Sequence, residues 1–419
     1  MIPFNDSTVI ASYYELNVSN NVVKTIPFGH SRHFPLSFNA SDKKIISGEL
    51  NFFNSTLHKN FDITRLISEK NYKIELHKTK DSVVILNVLD NCFGHALLKL
   101  FYSIKYIKEH EGNFDFILIV PNALKHFVIE KQGVNIITID LKFSELEKCY
   151  VLNEAINQIT KHYQSCFIAA TETYSEFNFD DLKNNLNFFN TKEIEETKNK
   201  IVFYYRADYW RKWGGNSQLK NCIKLFELLK PFFSESVEFC VVGDKDKGKF
   251  PSWIRDYRTE SFSPSVDFKY NQIFKSSLIC IGLTGSHMLF PSLFSKSTVH
   301  LHPSFKYKNM AEDIVVNVNS NEMLSAYKHL YYLGNHNCSD ITPKKLGDLL
   351  LSHFMGLIEK EYKINTSIDS QKDWIEKNYS LVNYSLIQEN RKLFNSLENK
   401  KKMRKYYFDK IFNLISKKL

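Results

Sequence analysis

The chain has 419 residues, 43% of them hydrophobic and 14% aromatic, which suits two packed domains and argues against a disordered chain. The formal net charge is +9, but ten lysines and arginines against two acids fall within residues 390–419. The folded body is therefore almost neutral, which argues against a nucleic-acid-binding domain.

Targeting and redox signals are sparse. No run of about 18 apolar residues is present, so no membrane-spanning helix is expected. The first residues lack the basic start and apolar centre of a signal peptide. Seven scattered cysteines, an odd number without paired spacing, predict reduced thiols in a cytosolic protein and no zinc site.

Residues 1–80 carry short β-like runs (8–14, 22–27, 44–53 and 72–77) between Asn, Ser and Gly, and predict an N-terminal extension of strands and loops. Its polar loop at 29–33 holds His30 and His33 without further ligand candidates, and reads as surface.

At residue 81 the pattern changes. Val83, Val84, Ile85, Leu86 and Val88 predict a strand buried on both faces. A turn over 90–94 leads to a helix over 95–109, with Leu97, Phe101, Ile104 and Ile107 on one stripe. Strands follow at 114–120, 134–139 and 165–170, with a helix at 152–162. Strand–helix–strand alternation predicts a parallel sheet, so 81–190 is a first Rossmann-like domain. The polar, charged stretch 178–200 reads as a linker.

The alternation then restarts. Strands are expected at 201–205, 237–242, 278–281, 298–301 and 314–318, and helices at 218–230, 270–275, 290–294 and 321–333. Residues 198–335 form a second Rossmann-like domain, and 336–419 a helical basic tail. The fold class is α/β, two Rossmann-like domains facing a cleft. In the last segment Phe408, Ile411, Phe412, Ile415 and Leu419 fall at helical spacing amid lysines. That pattern fits either an anionic membrane surface or a helix packed on the body with a solvated basic face.

Three loops that follow strands carry the chemistry. In L-D-N-C-F-G-H, Asp90 and His95 stand at a helix mouth as acid/base candidates; a capping carboxylate and a packed imidazole are the structural alternative. In R-A-D-Y-W-R-K-W-G-G-N-S, Arg206, Arg211 and Lys212 suit phosphate oxygens, Trp210 and Trp213 suit a base or sugar ring, and Asn216 or Ser217 suits the cap of the next helix. In G-L-T-G-S-H, Gly282, Thr284, Gly285, Ser286 and His287 form a glycine turn between a strand and a short helix, a place where backbone N–H groups meet phosphate. No acidic pair stands at a strand end with apolar flanks, so arginine, lysine and helix dipole, rather than a metal ion, are expected to hold a diphosphate.

The order of these motifs resembles glycosyltransferase family 61. Asn91, Gly94 and His95 resemble its N-(Y/F)-G-H element; Arg206, Arg211 and Asn216 its R…R…N element; Gly282, Gly285 and Ser286 its G-x-H-G-A-G-L turn. Thr284 stands where the family commonly has histidine, His287 where it has a third glycine, Ser217 where an acid is usual, and Lys99 where an aspartate is usual. The resemblance implies a GT-B fold and metal-independent, inverting transfer from a nucleotide-sugar, with no cofactor. His95 would be the base, Asp90 its alternative, and the second and third loops would hold the donor. A glycan or lipid-linked glycan acceptor, an anionic membrane surface and a role in surface polysaccharide synthesis are the further expectations. The alternative is a degenerate transferase-fold scaffold docked through the basic tail.

Overall fold

The computed structural model describes residues 12–364 except 18, 30–33, 52–53, 67–71, 144, 147–148, 152, 170, 172–181, 183–185, 187–197, 209–210 and 310–327. His30 and His33, most of the linker, Trp210, the expected strand at 314–318 and the basic helix near Leu419 lie outside the described residues.

The extension forms a four-stranded antiparallel sheet, β1 (Ser12–Asn17), β2 (Val22–Gly29), β3 (Leu36–Asn39) and β4 (Ile45–Gly48). Val23, Leu36 and Phe38 are buried against Phe61, which opens β5 (Phe61–Leu66) after the helix Ser55–Asn60. Next comes β6 (Tyr72–Glu75), which leaves the extension and joins the following sheet. Its Tyr72 and Ile74 alternate onto one face and pair with Ile139 and Ile137. That period-two match recruits a strand the composition assigns to the extension.

The first parallel unit contains β7 (Ser82–Asn87), the helix Phe93–His110, β8 (Asp115–Pro121), the short helix Asn122–Lys125, β9 (Val134–Ile139), β10 (Cys149–Val151), the helix Asn153–Thr160 and β11 (Ser165–Ala169). Here β10 pairs with β5, outside the main sheet. The main sheet runs β11-β7-β8-β9-β6, parallel apart from the edge strand β6. Its four parallel strands thus take the order of half a Rossmann sheet.

The second unit contains β12 (Asn199–Tyr205), the helix Gln218–Leu229, β13 (Val237–Gly243), β14 (Arg255–Asp256), the helix Pro264–Lys275, β15 (Ser277–Leu283), the helix Leu289–Phe294, β16 (Thr298–Pro303), β17 (His329–Gly334) and the helix Pro343–Ile364. All six strands are parallel, in the order β14-β13-β12-β15-β16-β17. Numbered from β12, that is 3-2-1-4-5-6, the dinucleotide-binding order.

One expectation fails here. Of the helix expected over 321–333, the described part is strand β17 from His329 onward. Leu330 and Tyr332 pack on one core while Tyr331 stacks on His300 of β16, centroids 4.9 Å apart. The period is two, and paired aromatics favour the sheet.

The two units do not merely face one another. A single core runs from Leu97, Phe101 and Leu118 of the first to Tyr204, Phe274, Met288 and Phe290 of the second. Two Rossmann-like domains, joined over a common core and opening on one cleft, make the GT-B arrangement.

Candidate active site

Each Rossmann sheet has a switch point where connections leave in opposite directions, β7/β11 in the first and β12/β15 in the second. Ligands bind at such points, beyond the carboxyl ends of the strands. The three motif loops follow β7, β12 and β15 there, and the tertiary fold brings them together. A cleft of about 1190 Å³ lies between the domains, lined by Asn91 and Phe93 from the first loop, Arg206 and Arg211 from the second, and Ser286 and His287 from the third.

Close approach of the backbone fixes the bottom of this arrangement. A Cβ on Gly94 would sit 2.4 Å from Cβ of Ser286, so two motifs from different domains meet with no room for a methyl group. Phe93, next in the chain, packs on Phe143 (5.8 Å) and across the interface on Phe290 (6.4 Å).

The second-domain wall carries the positive charge. Arg206 is held by two carboxylates, Nη2 at 2.6 Å from Asp208 and Nε at 2.9 Å from Asp244. Arg211 lies beside the turn: a Cβ on Gly285 would come within 3.5 Å of its Cζ and 3.0 Å of the His287 ring. Gly285 has φ 154° and ψ 165°, a region essentially confined to glycine. His287 is buried, with its ring edge-on to Tyr204 at 4.7 Å. Burial first, then the positive charges of Arg206 and Arg211, hold its pKa well below the ordinary histidine value. The wall thus presents a cation and a neutral imidazole side by side, with the helix Pro264–Lys275 bringing Pro264 and its N-cap Ser263 to the same cleft.

Several sequence candidates stand elsewhere. Asp90 is fully buried and does not line the cleft. Lys99 Nζ donates to its Oδ2 at 2.9 Å, and the Cys92 N–H to its Oδ1 at 2.8 Å. Its charge is neutralised inside the domain, so it is not placed to take a proton from a substrate. His95, partly exposed, holds Nδ1 3.4 Å from Asp90 Oδ1 but is also absent from the cleft lining. Lys212 and Asn216 lie outside the lining too, and Asn216 is exposed. Gly282 is inside β15, where Met288 Sδ would be 2.6 Å from a Cβ. Thr284 is buried, and its N–H donates to Leu301 O at 3.0 Å, which extends the β15–β16 ladder.

Trp213 is the clearest correction. It is fully buried, stacked on Phe203 at 5.8 Å, and its Nε1–H donates to Ile341 O at 2.9 Å. Its aromatic surface fills the core and no ligand can stack on it. Ser217 is the N-cap of the helix Gln218–Leu229, as expected, but makes no side-chain capping bond.

Other cleft residues carry no motif. Asn122, Lys125, His126, Asp140, Lys142 and Glu145 come from the loops after β8 and β9, and Asp267 from the helix Pro264–Lys275. His126 and Asp267 approach one another across the domains, Nε2 to Oδ2 at 3.2 Å. The available signal was positional: both loops end parallel strands.

No family model matches the chain, and no curated protein matches it. Solved structures with a similar chain course include the Escherichia coli ADP-heptose LPS heptosyltransferase II, 10% identical over 66% of this chain and 99% of that one, with a TM-score of 0.38. The E. coli heptosyltransferase WaaC with ADP is 5% identical over 65% and 99%, TM-score 0.40. An α,α-trehalose-phosphate synthase (UDP-forming) from Burkholderia vietnamiensis is 6% identical over 67% and 98%, TM-score 0.25. The two-domain architecture rests on the strand orders and registers given above.

Proposed function

We propose that the protein is a glycosyltransferase that moves a sugar from a nucleotide-sugar to a hydroxyl of a glycan acceptor. One observation carries this reading: three motif loops, distant in sequence, converge at the switch points of two Rossmann sheets on a single cleft. Arg211, Arg206, Ser286 and His287 would hold the diphosphate on the second-domain wall. Arginine forks bind phosphate oxygens in pairs, and a neutral imidazole donates a hydrogen bond without adding charge. Arg206 is also engaged by Asp208 and Asp244.

The reaction is metal-independent and inverting in this reading. As the bond between the anomeric carbon and the phosphate oxygen breaks, its electron pair leaves on the diphosphate. The guanidinium and imidazole groups stabilise that charge. An acceptor hydroxyl attacks from the opposite face and gives its proton to a base on the other wall. The glycan class, a place in surface polysaccharide synthesis and contact with an anionic membrane through the basic C-terminal segment follow from the family resemblance and the charge distribution.

The test is calorimetry with UDP, GDP, ADP and CMP, followed by release of free nucleotide from the matching sugar donors. One nucleotide should bind, and Arg211→Ala should weaken it at least tenfold, the worth of a hydrogen bond to a charged group at about 1.5–3 kcal/mol. If no nucleotide binds and no donor is turned over, the reading is wrong.

A further inference from the structure

Glycosyl transfer needs a base, and neither Asp90 nor His95 is among the residues that line the cleft. We infer that the acid/base group is His126, positioned by Asp267, a dyad assembled from both domains. The assignment rests on the transfer reaction proposed above.

Geometry singles out this pair. His126 follows the short helix Asn122–Lys125, at the carboxyl end of β8, on the wall facing Arg211 and His287. Asp267 lies in the first turn of the helix Pro264–Lys275 in the other domain. Both line the cleft, and both side chains are largely buried. His126 Nε2 is buried, lies 3.2 Å from Asp267 Oδ2 and makes no hydrogen bond in this conformation. The ring is fixed by Phe127 (3.9 Å) on its own side and Phe268 (5.5 Å) on the other. Lys125 beside it is tied to Glu75 at 2.8 Å and Glu130 at 3.5 Å, so its ammonium is balanced locally.

The carboxylate selects the tautomer. With the proton on Nε2 facing Asp267, Nδ1 is the free base. In the transfer step Nδ1 takes the acceptor hydroxyl proton as the oxygen–carbon bond forms. The electron pair of the breaking carbon–phosphate-oxygen bond departs on the diphosphate, and Asp267 stabilises the imidazolium. Because each domain contributes one member, the base is complete only when the cleft is formed as described.

The experiment uses the full chain. In the wild type, ¹⁵N-histidine spectra, assigned with His126→Gln, should show the His126 proton on Nε2, and Asp267→Asn should release that tautomer. With the donor identified by nucleotide release, His126→Ala should lower kcat by at least about 100-fold, a typical share for a positioned base. Donor KM and nucleotide affinity should stay within about threefold, and added imidazole should restore part of the rate, which a structural role would not permit. An Nδ1–H tautomer overturns the dyad. So does turnover by His126→Ala within threefold of wild type, or a loss in His95→Gln that His126→Ala does not show. If the wild type binds none of UDP, GDP, ADP or CMP, the transferase reading falls and takes the base assignment with it.

Discussion

At the scale of single residues, the decisive question is which charges are free to act. Asp90 and Lys99 are fully buried and bonded to each other at 2.9 Å, nine residues apart on a turn and the helix that follows it. The buried charge of Asp90 is matched by the Lys99 cation. Removing one member of such a pair strands a buried charge, at about 3–5 kcal/mol. Lys99→Leu should therefore lower the urea unfolding free energy by that amount, and Asp90→Asn/Lys99→Leu should recover much of it. A loss below about 1 kcal/mol in the single variant would show that Asp90 is solvated or neutral in the folded protein. The sequence offered Asp90 as an acid/base candidate or a helix cap. It did not reveal the partner, because an i, i+9 relation across a turn has no periodic signature.

At the scale of elements, glycines decide how closely the two domains approach. Gly94 begins the helix Phe93–His110 and touches Ser286, which follows β15. Neither Cβ belongs to a flexible side chain, so Gly94→Ala forces backbone or helix displacement at about 1–3 kcal/mol. Thermal melts should show that loss, and Ser286→Gly in the same chain should restore most of it, because it removes the clashing atom. Absence of coupling between the two substitutions would mean the domains are not in contact there. The strands, by contrast, were legible: apolar runs at 83–88, 134–139 and 201–205 match β7, β9 and β12 closely, since a strand covered on both faces must be continuously apolar. Strand β17 and the fate of Trp213 were not. Both depend on what lies opposite, His300 in one case and Phe203 with Ile341 in the other.

At the scale of the whole molecule, buried histidines tie stability to pH. His287, His300, His302, His329 and His353 all have their pKa lowered, with burial the largest cause, and His300 and His329 are held at about 3. The folded protein keeps these rings neutral, whereas the unfolded chain takes up protons near pH 6.5. Protons thus favour the unfolded state, and stability falls as pH drops below 6.5, down to about 3 for His300 and His329. Those two rings together should cost about 4 kcal/mol between pH 7 and 5. Urea titrations at pH 7 and 5 check this, and His300→Phe should shrink the difference by about 2 kcal/mol. An unchanged difference would show that His300 already accepts a proton in the folded state.

The sequence by itself determined the two α/β units and the three strand-end loops that the fold brings to one cleft. These are local properties, written as hydrophobic period, glycine placement and residue type. Only the tertiary structure decided which candidates meet. It set Gly94 against Ser286 and placed Arg211 beside His287 on the cleft. It withdrew Asp90 and Trp213 into the interior, and it joined His126 to Asp267 across the domain boundary. Those relations span from a few to more than a hundred residues of chain, and burial and pairing at such distances follow from how sheets and helices pack.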